Sequence, residues 1–172
     1  MSVPRWSETL RDRTHVLIRP LAAQDREAER AFIEQLSAEA CRFRFLGYTR
    51  HPSERLLDTL TKIDPERDVA FAAVLAEDAH DKIIGVSRFS ADKDGNCECA
   101  VVVDDEWQNK GLGTLLMRRL IEVAHARGIR TMRSIDMTEN VRMADLAHDL
   151  GFTRHIDPED ASQVIHELTL AA

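Results

Sequence analysis

From Val101 to Thr114 the chain reads Val-Val-Val-Asp-Asp-Glu-Trp-Gln-Asn-Lys-Gly-Leu-Gly-Thr. A β-branched run stops, a short polar turn follows, and two glycines flanking one leucine open an amphipathic helix. That order gathers unpaired backbone N–H groups and the positive end of a helix dipole at one point, which suits phosphate oxygens. At Gly111 and Gly113 no Cβ hinders the turn or the close approach of a phosphate. The segment predicts a site for a ligand carrying a pyrophosphate. Two other glycine-loop chemistries fail on spacing. A dinucleotide fingerprint needs a third glycine three positions after Gly113, where Leu116 stands, and the Gly-x-x-x-x-Gly-Lys-Ser/Thr of a nucleoside-triphosphate loop does not occur. Cys97 and Cys99 share a strand face, but no Cys-x-x-Cys or paired-histidine spacing accompanies them. They read as small buried thiols, and no metal site is expected.

The elements that position this turn follow from hydrophobic periodicity. His15 to Arg19 is a first strand stopped by Pro20, and Ala28, Ala31, Phe32 and Leu36 recur at helical spacing from Asp25. Ser37 to Pro52 is a mixed segment rich in Arg and Phe. Ser53 caps a short helix carrying Leu56, Leu57 and Leu60. Three strands come next, Val69 to Leu75, Ile83 to Phe89 and Cys97 to Val103, the last two joined by a turn at Asp94-Gly95. The helix after Gly113 ends at Gly128, a strand covers Arg130 to Ile135, and a helix covers Asn140 to Leu150. Phe152 to Ile156 and Val164 to Leu170 finish as strands. The order β-α-α-β-β-β-α-β-α-β-β predicts an α/β (α+β) mixed sheet with helices on both faces. Residues 1–13 read as an N-terminal extension and 14–172 as one domain.

A chain of 172 residues can bury a substantial core. No apolar run approaches the ~20 residues needed to span a bilayer. The polar N-terminus lacks a signal-peptide core, so a cytoplasmic protein with no membrane partner is expected. Three cysteines offer no disulfide framework. The net charge of −7 argues against nucleic-acid binding. Residues 1–62 carry 11 basic and 9 acidic side chains, whereas the remaining 110 carry 12 and 21, an excess that would suit a cationic substrate.

The element order, with Gln108-Asn109-Lys110-Gly111-Leu112-Gly113 at its strand-to-helix junction, resembles the GNAT superfamily of acyl-CoA-dependent N-acetyltransferases. That family's pattern is Gln/Arg-x-x-Gly-x-Gly/Ala, and Asn140 followed by Leu146 and Leu150-Gly151-Phe152 resembles its last main helix. The resemblance runs from about Arg19 to Leu170. It implies a GNAT-like fold with acetyl-CoA (coenzyme A) as co-substrate. Val101, Val102 and Val103 would offer backbone groups to the pantetheine arm. Amides from Asn109 through Lys110, Gly111, Leu112 and Gly113 to Thr114 would hold the pyrophosphate, with Gln108 opening the motif. Asn140 would touch the thioester end or the pantetheine. Lys110 could pair with a phosphate or simply be solvated.

The implied chemistry is attack of a neutral amine on a thioester. A lysine amine of pKa ~10.4 is neutral only about once in 2,500 molecules at pH 7, so a base is needed. Glu98 is the candidate. It sits mid-strand, where glutamate is intrinsically disfavoured, and alternation puts it with Ala100 and Val102, opposite Cys97, Cys99 and Val101. Glu98-Cys99-Ala100-Val101-Val102-Val103 also resembles the Glu-Phe-Ala-Val-Val-Val strand of bacterial protein lysine acetyltransferases, where the glutamate is the proposed base. Many family members carry a tyrosine acid where this chain has Ala147, and Tyr48 could reach the site only by folding over it. By the same resemblance a backbone N–H near Val101 would serve the carbonyl oxygen as it gains charge.

Leu36 to Phe45 resembles the acceptor-side segment of that lysine-acetylating branch, with Ser-x-Glu followed by Arg-Phe. The plainer reading packs Phe43 and Phe45 in the core with the arginines in water. The leading expectation is transfer of acetyl to a primary amine, on protein lysine or a small molecule, in a chain that could form a homodimer. A non-catalytic acyl-CoA-binding sensor needs the same turn without a base, and a nucleotide is a third candidate ligand.

Overall fold

Runs of alternating or continuous apolar residues pair into one eight-stranded sheet, in a computed structural model describing residues 4–46, 51–77 and 80–170. The strands are β1 (Trp6–Thr9), β2 (His15–Pro20), β3 (Asp68–Glu77), β4 (His80–Ala91), β5 (Asn96–Val103), β6 (Thr131–Met137), β7 (Thr153–Asp157) and β8 (Asp160–Thr169). Their order across the sheet is β1-β2-β3-β4-β5-β6-β8-β7. Every pairing is antiparallel except β5 with β6. The helices are α1 (Arg26–Gln35), α2 (Ala38–Phe45), α3 (Glu54–Thr61), α4 (Leu112–Ala126) and α5 (Val141–Asp149).

The sheet separates two cores. On one face Leu112, Leu116, Met117, Leu120 and Ala124 of α4, with Met143 and Ala147 of α5, cover Phe71, Ala73, Ile84, Phe89, Cys97, Cys99 and Met132. On the other, Phe32 and Ile33 of α1, Cys41 of α2, and Leu57 and Leu60 of α3 cover Ala70, Ala72, Val74, Ile83 and Val86. β3 feeds both cores, which is why its sequence is apolar without alternation. Cys97 and Cys99 are the small buried thiols expected. Burial pushes the Cys97 thiol up to about 12 and Cys99 well above its ordinary value, so both stay protonated and inert.

The predicted element order is recovered, with two additions. Inside the segment read as an extension, β1 pairs with β2 along Trp6↔Ile18 to Thr9↔His15. Trp6 stacks edge-on to Phe71 with ring centroids 5.1 Å apart, and Arg119 of α4 reaches Glu8 at 2.9 Å. A four-residue run with one large apolar side chain carries too little periodicity to be read as a strand. The second addition is α2, in the segment read as mixed. Ser37 caps it by accepting from the Ala40 amide at 3.0 Å. Its phenylalanines and arginines alternate at a spacing of two, which belongs to no single helical face. The arginines do not simply face water. Arg42 reaches Glu139 at 3.3 Å, and Arg44 is half-buried. Phe45 packs on the α1–α3 core and Phe43 lines a cavity.

Candidate active site

The site begins where β5 and β6 part. Their parallel ladder is Asn96↔Thr131, Cys97↔Met132 and Glu98↔Arg133, and it stops there. On its other edge β5 stays bonded to β4 through Val103↔Gly85. Beyond Glu98 the edge of β5 that faces β6 therefore has no ladder partner, and Val101, Val102 and Val103 line the resulting opening. The opening is a cavity of about 880 Å³ that also touches Glu98, Asn109, Gly111, Gly113, Asp136, Asn140 and Leu146.

One end of the cavity is the glycine turn. Asn109 and Gly111 have φ of +62° and +86°, left-handed values that aim successive N–H groups to one side. The first intrahelical bond of α4 runs from the Leu115 amide to the Gly111 carbonyl, which leaves the amides of Leu112, Gly113 and Thr114 for a ligand. A Cβ on Gly113 would lie 3.5 Å from Leu146 and 3.8 Å from Val103, so the passage is already close-fitting there. Gln108 ties the turn to the sheet by donating to the Val103 carbonyl at 3.2 Å.

Lys110 is engaged within the protein. Its Nζ lies 2.9 Å from Asp12, and that ammonium, together with the Thr14 amide, lowers the Asp12 carboxyl to about 2. Arg11, which the sequence reading did not single out, lines the cavity at the turn instead. Its amide donates to the Lys110 carbonyl at 3.2 Å, and its Nε lies 3.4 Å from where a Gly111 Cβ would stand. Nothing in the local pattern around Arg11 marks it, because the turn between β1 and β2 brings it there.

Glu98 is exposed into the same cavity on the face of the sheet covered by α2. Asn140 caps α5, its Oδ1 accepting from the Met143 amide at 3.2 Å, and it borders the cavity. Ala147 is fully buried. Tyr48 lies outside the described residues. One wall is held by a polar network that the sequence reading did not see. Asp136 Oδ2 accepts from Ser134 Oγ at 2.7 Å and lies 2.9 Å from His166 Nδ1. The Phe43 ring and the Arg44 side chain close the α2 side.

A family model described as Acetyltransferase (GNAT) family matches residues 30–152. The chain belongs to the GNAT acetyltransferase family. A relative named Acetyltransferase PA5475, from Pseudomonas aeruginosa, is 48% identical over 166 residues, covering 96% of this chain and 89% of the relative. Acetyltransferase Pat from Mycolicibacterium smegmatis is 29% identical over 138 residues, covering 78% of this chain and 40% of that one. Among solved structures, the GNAT domain of S. lividans PAT superimposes with a TM-score of 0.88 at 25% identity, over 96% of this chain and 97% of that domain. This GNAT chain is thus an N-acetyltransferase, an enzyme for which an acyl-CoA and an amine-bearing acceptor are the reactants. The cavity fits the acyl-CoA that GNAT enzymes use, with three helix amides free, no Cβ at Gly113 and an unladdered strand edge. Among the described residues no group of three or more potential ligands could hold a metal, and no helix is long and apolar enough to cross a membrane.

Proposed function

We propose that this enzyme acetylates a primary amine from acetyl-CoA by direct attack, with Glu98 as general base. What carries the reading is that the glycine turn and Glu98 border one cavity, at the gap between β5 and β6. The amides from Asn109 to Thr114 hold the pyrophosphate, and Arg11 supplies the cation there, because Lys110 is already paired with Asp12. The free edge of Val101 to Val103 takes the pantetheine as an added strand would be taken. Asn140 stands at the thioester end, and the Val101 amide serves the carbonyl oxygen.

The acceptor enters from the α2 side. Bound acetyl-CoA supplies an activated acetyl group. Glu98, directly or through one water, takes the proton that an ammonium must lose before its nitrogen can attack. With Ala147 buried where a tyrosine acid would stand, the departing thiolate takes its proton from water. The acidic second half of the chain, and the resemblance of Glu98-Cys99-Ala100-Val101-Val102-Val103 to the strand of bacterial protein lysine acetyltransferases, favour a cationic acceptor such as a lysine side chain.

Glu98→Gln should still bind coenzyme A by calorimetry while losing turnover by about a hundredfold at pH 7. The deficit should narrow as pH climbs toward the acceptor's own pKa, about 10.4 for a lysine, since free amine then forms unaided. Equal rates for variant and wild type between pH 6 and 9 would remove Glu98 from the mechanism.

A further inference from the structure

Arg44 is the group on the acceptor side that this reading leaves unused. It sits in the last turn of α2, half-buried, and lines the same cavity as Glu98. Several arginines of the fold are paired: Arg19 with Asp25 at 2.8 Å, Arg119 with Glu8 at 2.5 Å, and Arg26 with Glu54 and Asp58. Among the described residues Arg44 has no carboxylate within ion-pair distance: its guanidinium lies 5.0 Å from the Phe45 ring and feels the charges of Glu29, Glu98 and Asp136 only at longer range. The nearby carboxyl of Glu29 is a weak counter-ion. It is 3% exposed, its Oε2 has no hydrogen-bond partner, and burial pushes its pKa up toward the neutral form. Burial, and then the like charge of Arg88, lower the Arg44 guanidinium to about 10, which leaves it cationic at neutral pH.

A half-buried guanidinium with a free donor fork is costly by itself and complements a carboxylate well. The phosphates of coenzyme A are not the natural partner. Their turn opens α4 on one face of the sheet, whereas Arg44 belongs to α2 on the other face, with Glu98. We infer that Arg44 binds a carboxylate carried by the acceptor, so that the preferred substrate presents an amine to Glu98 and a carboxylate to Arg44. Two sources share that chemistry: a free amino acid, and a peptide lysine with an acidic neighbour. This inference rests on the acceptor-side reading of the cavity proposed above.

The test compares acceptors that differ only in that group. One arm uses ω-amino acids of several chain lengths against their carboxamides, and the other uses lysine peptides flanked by aspartate against asparagine. The readout is the ratio of kcat/KM, carboxylate over amide, within each protein. The wild type should favour the carboxylate by about tenfold to a hundredfold in one arm, as a charge-assisted pair does. That arm identifies the source. Arg44→Gln should bring the ratio close to one. Arg44→Lys, which keeps the charge but loses the fork, should fall between. Because each ratio is taken within one protein, general damage cancels. No wild-type preference in either arm, or a ratio undiminished in both variants, overturns the inference. Absence of thiol release with every amine would instead overturn the catalytic reading, and this inference with it.

Discussion

Gly113 shows how much one missing atom decides. Alanine is tolerable there, since its Cβ would meet Leu146 and Val103 at ordinary contact distances of 3.5 and 3.8 Å. A larger side chain must enter the passage between α5 and the end of β5. Gly113→Leu should therefore keep the fold and weaken coenzyme A binding by tenfold or more, with Gly113→Ala near wild type, as calorimetric titration would report. Similar affinities for both variants would mean the ligand runs elsewhere. Gly111 differs, because its φ of +86° is poor for any L side chain. Glu98, the proposed base, was readable at this scale, since a carboxylate amid apolar strand residues departs from local propensity. Arg44 was not, because its significance is the absence of a partner, and partners are set in three dimensions.

At the scale of elements, the turn joining β1 to β2 brings two charges to the start of α4. Asp12 occupies Lys110 at 2.9 Å and leaves Arg11 beside Gly111. If Arg11 contacts phosphate, Arg11→Ala should weaken acetyl-CoA binding about fivefold to thirtyfold and leave the binding of acetyl-pantetheine, which has no phosphate, unaltered. An equal loss for both ligands would assign Arg11 a structural role. The glycine turn itself was legible because strand, turn and helix are contiguous in the chain. β1 and α2 escaped the same reading for opposite reasons. β1 is too short to show a period, and α2 serves a core and a cavity at once, so its phenylalanines follow no single stripe.

For the whole molecule, the sheet divides the work, with the glycine turn and α4 on one face and α2 over Glu98 on the other. Membership of an enzyme family removes the need for a non-catalytic sensor reading. The face of the proposed acceptor also holds Glu29, a carboxyl that the fold makes harder to ionise. Its folded pKa lies above the ordinary 4.5, so the folded chain holds the proton more tightly than the unfolded one. Stability from this group is greatest below that ordinary value and declines as pH rises toward the folded pKa. Glu29→Gln cannot ionise, so its melting temperature relative to wild type should be higher by a few degrees at pH 7 than at pH 4. An identical offset at both pH values would show that Glu29 stays neutral throughout or that its charge is fully compensated.

The sequence alone determined the fold class and singled out the glycine turn, Asn140 and Glu98 as candidate site residues, because each is encoded in neighbouring residues whose period, propensity or spacing is a local property of the chain. The tertiary structure decided the rest. The parting of β5 from β6 beyond Glu98↔Arg133, the pairing of Lys110 with Asp12, the arrival of Arg11 at Gly111 and the unpaired Arg44 all join residues distant in the chain. Charges and cavities depend on what lies across a gap, and separation along the backbone does not specify what that will be.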